Sequence, residues 1–112
     1  MTEKIVILST CSSESEAHKL ARLLVDAQLA ACVNVIGGGV LGGLRSFYRW
    51  QGKVESSAEW LLLIKSSQDR FAAVRAAIEE AHSYEVPEII ALPIVEGATA
   101  YLSWMDENLG NH

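Results

Sequence analysis

The stretch EWLLLIKS, residues 59–66, constrains the fold more than any other part of the chain. In a β-strand, successive side chains point to opposite faces. Glu59, Leu61, Leu63 and Lys65 then share one face, and Trp60, Leu62 and Ile64 share the other. The middle is apolar on both faces, so both must be covered. Each Leu or Ile fully removed from water there contributes about 1.5–3 kcal/mol.

The segments before it alternate between strand and helix signals. KIVILST (4–10) is a short apolar run rich in β-branched residues and reads as a first strand. SESE (13–16) has the form of a capping box, with Ser13 bonding the amide three residues on and Glu16 reaching back. Ala17, Leu20, Ala21, Leu24 and Val25 follow at helical spacing and make an apolar stripe. That helix is expected to end near Leu29 or Ala30. CVNVI (32–36) reads as a second strand. GGGVLGG (37–43) holds five glycines, but no Lys-Ser/Thr pair and no helix follow, so a phosphate cradle is not indicated. LRSFYRW (44–50) comes next as a strand, which makes the glycines a bulge or loop inside one long strand. A turn at Gln51-Gly52 joins it to residues 59–66 as a hairpin.

SSQD (66–69) is a second candidate cap, followed by Phe71, Val74, Ile78 and Ala81 at helical spacing. Val86 precedes Pro87 and is pushed toward extended geometry, so this helix must stop near Ser83. EIIALPIV (88–95) reads as a buried strand, with Pro93 leaving one side unpaired or bulged. TAYLSWMDENLG (99–110) is a last short helix, with Thr99 as its cap, Leu102, Met105 and Leu109 as its stripe, and Gly110 as its stop. This order is the split βαβ, ferredoxin-like arrangement, an α+β fold with two helices on one face of a four-stranded antiparallel sheet. The other face is open in a single copy. It would expose more apolar surface than monomers carry, together with long unpaired edges. Both are relieved when copies pack sheet to sheet, so an oligomer is expected.

Composition narrows the partners. The chain of 112 residues fits a single domain spanning 1–112. Its net charge of −5, with Lys and Arg scattered and only Arg45 and Arg49 close together on a strand, argues against nucleic acid. No run approaches the ~20 apolar residues that cross a bilayer, and MTEKIVILST lacks the long apolar region of a signal peptide. Cys11 and Cys32 form no C-x-x-C pair. A cytosolic protein is expected, with Cys32 a small buried hydrophobe.

LAACVNVI, SFYRWQGKVE, EWLLLIK, HSYEVPEIIALP and YLSWM occur in this order over nearly the whole chain. Together they resemble the CutA family, the divalent-cation tolerance proteins. The resemblance implies a ferredoxin-like subunit in a homotrimer, built through the central sheets and long hairpins. Where many CutA sequences have a short turn with proline, this chain has the longer GGGVLGG. The family also implies copper or another divalent cation as ligand. Its proposed copper ligands fall here on Ser9, Ala81 and His82, of which only His82 is a good donor. Cys11 lies two residues beyond Ser9, on the same face if the strand continues past Thr10, which makes Cys11 and His82 the candidate metal residues. Imidazole and thiolate suit copper, but two ligands make a weak, exchangeable site. His82 equally suits a helix C-terminus, where a partly positive imidazole is favourable. His18 and His112 read as solvated.

Trp50, Glu59, Lys65, Tyr84 and Glu88 are candidates for a polar cleft between subunits. Glu59 and Lys65 sit at opposite ends of one strand face. A phenol and carboxylates near a strand start serve either as acid–base groups or as hydrogen-bonding architecture across a subunit boundary, which is the reading preferred for HSYEVPE (82–88). No Ser-His-Asp pattern, H-E-x-x-H or phosphate loop indicates an enzyme. Two functions follow. One is a trimeric metal-tolerance protein. The other is a module like the nitrogen-regulatory PII proteins, which share this fold class, binding a small anion or metabolite between subunits. Fold alone does not choose between them.

Overall fold

The computed structural model describes residues 2–38 and 43–110. Residues 39–42, the centre of the glycine-rich segment, and His112 lie outside the described residues. The elements are β1 (Lys4–Cys11), α1 (Glu14–Asp26), β2 (Cys32–Gly37), β3 (Leu44–Trp50), β4 (Lys53–Ser67), a 3-10 turn (Gln68–Arg70), α2 (Phe71–Ala81), β5 (Ile90–Pro93) and α3 (Thr99–Asn108). The sheet runs β2-β4-β1-β5, β3 also pairs with β4, and these pairings are all antiparallel. The architecture is α+β, as the order of signals along the chain predicts.

β4 is the spine. Its residues 60–65 pair with β2 and its residues 53–59 with β3. Gly37 faces Trp60 and Leu44 faces Glu59, so β2 and β3 take successive places along the same side of β4. Gly38 lies against the Trp60 indole so closely that a Cβ would collide with the ring. At the far end, Gln51 and Gly52 have φ of 51° and 82°. This is a two-residue hairpin turn of the type that favours Gly at its second position. β1 stops at Cys11, opposite Trp60, so among the described residues the 53–59 stretch of β4 has a strand on one side, β3. The hairpin thus projects as an arm, and the molecule measures 47 × 29 × 25 Å.

Residues directly opposed in an antiparallel pair share a face. Val35–Leu62–Ser9 and Val33–Ile64–Ile7–Ala91 form rows on the helix side. Ile7, Leu62 and Ile64 are buried there against Leu20 and Leu24 of α1 and Val74 and Ile78 of α2. On the opposite face, Ile36–Leu61–Thr10 and Asn34–Leu63–Leu8–Ile90 form rows that neither α1 nor α2 covers. α3 reaches only one end of that face. Its Asp106 pairs with Lys4 at 2.7 Å, and its Met105 and Leu109 pack on Ala31. Cys32 is half-buried at this end rather than in the core. Tyr101 stands beside it, and its hydroxyl is pushed up by burial and by the thiol.

Several local expectations are corrected. α1 ends at Asp26, earlier than the apolar spacing predicts, because Gln28 turns to φ 57° while Leu29 and Ala30 still bond back to the Leu24 carbonyl. Ser66 and Ser67 do not cap α2: Ser66 donates to the Leu29 carbonyl at 2.6 Å and Ser67 to Asp69. Thr99 is the first residue of α3 rather than its cap, which is Ala98. EIIALPIV shrinks to a four-residue edge strand. That strand is exposed in one chain, with Ile90 at 49% and Leu92 at 50%. Pro93 has no N–H to donate, and among the described residues β5 pairs with β1 alone, an edge position that suits a proline.

Candidate functional site

α2 ends at Ala81 and is capped by His82, whose amide donates to the Ile78 carbonyl at 2.8 Å before the chain turns extended. Its buried ring faces the end of β1. Nε2 lies 2.7 Å from the Thr10 carbonyl, and Nδ1 lies 3.0 Å from the Tyr84 amide. A carbonyl only accepts and an amide N–H only donates. The ring therefore carries its proton on Nε2 and accepts at Nδ1. His82 is thus both the helix cap and a clasp between β1 and the 82–88 segment.

Cys11, Glu16 and His82 each offer a ligand atom, and these atoms lie within 4.8 Å of one another. Strand alternation carries Cys11 to this point, as expected from its position two residues after Ser9. Its thiol is fully buried. Burial, with the Glu16 and Glu59 carboxylates adding, pushes it up to about 12. Glu16 is the member missed from sequence. The S-x-x-E pattern assigns it to a capping box, and Ser13 does cap the Glu16 amide at 3.1 Å. The carboxylate instead holds Ser83, accepting from its amide at 2.8 Å and its hydroxyl at 3.1 Å. Ser9, at the position the resemblance implied for a ligand, has a buried hydroxyl with no partner among the described residues. His18 is exposed on α1, 3.7 Å from Glu14.

Beside this cluster lies a cleft of about 750 Å³. Trp50, Glu59, Tyr84 and Glu88 all line it, as do Thr10, Arg49 and Glu85. Glu59 is only 5% exposed, because Tyr84 closes over it. The Tyr84 hydroxyl donates to Glu59 Oε2 at 2.5 Å. Burial first, and then the bond to Glu59, hold this phenol above its usual range. Lys65 is not part of the cleft in one chain. It bonds Asn34, six residues along β4 from Glu59, about 20 Å at ~3.4 Å per residue.

Fold and site together describe a small antiparallel α+β domain with a sulfur, imidazole and carboxylate cluster at a strand end. The family model for CutA1 divalent ion tolerance protein matches residues 5–108. The divalent-cation tolerance protein CutA of Thermus thermophilus is 46% identical over 105 residues, covering 94% of this chain and 97% of that one. The chloroplastic CutA protein of Arabidopsis thaliana is 39% identical over 107 residues, 96% of this chain and 56% of that protein. The structure of the periplasmic divalent cation tolerance protein CutA of Archaeoglobus fulgidus superposes with a TM-score of 0.88 at 36% identity, covering 95% of this chain and 98% of that one. The chain belongs to the CutA1 divalent ion tolerance family. The names of the Thermus thermophilus and Archaeoglobus fulgidus relatives denote divalent-cation tolerance.

Proposed function

We propose that the protein is a homotrimer that responds to divalent cations, copper foremost, by weak binding rather than by catalysis. Cys11, Glu16 and His82 are the metal-holding residues in this reading. The observation that carries it is the approach of their donor atoms to within 4.8 Å. Sulfur and imidazole with one carboxylate suit copper or zinc better than a hard cation. Each group also has something to give up. Cys11 must lose a proton that burial holds tightly, and His82 must leave at least one of its two partners. Weak affinity and proton release on binding follow.

Support for the trimer comes from the uncovered apolar rows and from a strand order that reads as ferredoxin-like with a lengthened hairpin. In such an assembly, Lys65 of a neighbouring copy complements the Glu59 end of the cleft. The PII-like alternative is favoured by the cleft, whose size suits a small ligand. Its charged lining in one chain, however, is Glu59, Glu85 and Glu88 against Arg49 alone, which repels an anion. A cytosolic location belongs to the same proposal and fits two free cysteines. The test is calorimetric titration with copper of the wild type, His82→Ala and Cys11→Ser. Both variants should bind at least about tenfold more weakly, as the loss of a ligand worth 1.4 kcal/mol or more predicts. Equal affinities in the three proteins would remove the cluster from the function.

A further inference from the structure

We infer that the cation cluster and the cleft are coupled through Tyr84, so that coordination by His82 releases the Tyr84–Glu59 bond. The inference rests on reading Cys11, Glu16 and His82 as metal-holding residues, and adds what their occupation does. A neutral imidazole has one nitrogen lone pair to offer. In His82 that pair is occupied, because Nδ1 accepts the Tyr84 amide at 3.0 Å while Nε2 donates to the Thr10 carbonyl at 2.7 Å. Coordination through Nδ1 takes the pair from Tyr84 directly. Coordination through Nε2 sends the ring proton to Nδ1, where it meets the Tyr84 N–H donor to donor. Either route breaks the hydrogen bond that the Tyr84 N–H donates to His82.

The next link is Ser83, held by both oxygens of Glu16, a second donor of the same cluster. Two of the three metal-holding side chains are therefore those that fix residues 83 and 84. The rings of His82 and Tyr84 are in contact, their centroids 4.6 Å apart, so the phenol packs directly on the imidazole that would move. At its other end Tyr84 is anchored to Glu59 at 2.5 Å, where it forms part of the cleft wall. The movable unit is thus one short segment between α2 and β5, clasped on one side by the cluster and on the other by Glu59. Coupling of this kind is reciprocal. Anything that frees Tyr84 from Glu59 must tighten cation binding, and cation binding must loosen Tyr84.

The experiment uses zinc ion alone as probe, with two readouts on the full chain. Calorimetry compares wild type, Tyr84→Phe, Glu59→Gln and His82→Ala, and amide hydrogen exchange follows Tyr84 with and without zinc. The expected result is zinc-dependent loss of protection at the Tyr84 amide, and binding about fivefold or more tighter in Tyr84→Phe and Glu59→Gln. Zinc bound through His82, with Tyr84 exchange unchanged and both variants at wild-type affinity, would overturn the coupling and leave the cation reading standing. Equal binding by wild type and His82→Ala, or a wild type that binds neither zinc nor, in the same calorimeter, copper, would overturn both. The exchange measurement needs no substitution, so a variant that fails to fold does not remove the test.

Discussion

Ser9 and Cys11 sit two residues apart on the helix side of β1, and both are wholly buried. The thiol tolerates burial because it packs as a small hydrophobe. The Ser9 hydroxyl has no partner among the described residues, and an unsatisfied buried hydroxyl costs about 1–3 kcal/mol. Ser9→Ala should therefore raise unfolding stability by about 1 kcal/mol in urea titration; a loss of stability would mean that the hydroxyl is bonded. Cys11 links folding to alkaline pH. Its folded value is raised from 9.0 to about 12, so the native state holds the proton more tightly than the unfolded chain. The stabilisation is complete below pH 9.0 and is lost as pH climbs toward about 12. Cys11→Ala should flatten that part of the stability–pH curve. Alternation put Cys11 on the face of Ser9 only if β1 ran past Thr10, so the sequence allowed its approach to His82 without showing it; the structure carries β1 to Cys11 and brings the two donors together. Glu16 was hidden because one carboxylate suits both a capping box and a contact 67 residues away, and no local pattern separates them.

Helix and strand signals differ in how much they say about surroundings. Ser13 reads as a cap from its neighbours and is one, so Ser13→Ala should cost about 1 kcal/mol by thermal or urea unfolding. An unchanged midpoint would mean that the α1 terminus is held by other contacts. Thr99 carries a similar signal and is not a cap, since Ala98 takes the extended conformation that ends the preceding chain. The hairpin was legible because Gln51-Gly52 sits between two strand-like runs and only a tight turn joins them. EIIALPIV was not, because an apolar run looks the same whether its strand is central or at an edge. The glycine-rich departure was legible as an interruption, since β-patterned residues flank it on both sides. Gly37 and Leu44 oppose the neighbouring residues Trp60 and Glu59 of β4, while residues 39–42 lie outside the described residues.

For the molecule as a whole, the sheet divides the chain into a satisfied side and an unsatisfied one. The helix side closes over Ile7, Leu62 and Ile64, whereas the other side leaves Ile36, Ile90 and Leu92 about half exposed. The arm adds Phe47 at 71% exposure. Those residues cost a lone copy solubility and gain nothing for it, which is the physical case for self-association. Ile90→Asp places a charge on a position that a single chain exposes, so it should weaken assembly while leaving the subunit folded; unfolding by circular dichroism would show Ile90 to be a core residue instead. The most direct measurement is the mass in solution, by light scattering at micromolar concentration. The account predicts three times the 12.2 kDa chain mass. A stable particle of one chain mass would contradict it, because the bare sheet face would then need no copy of itself to cover it.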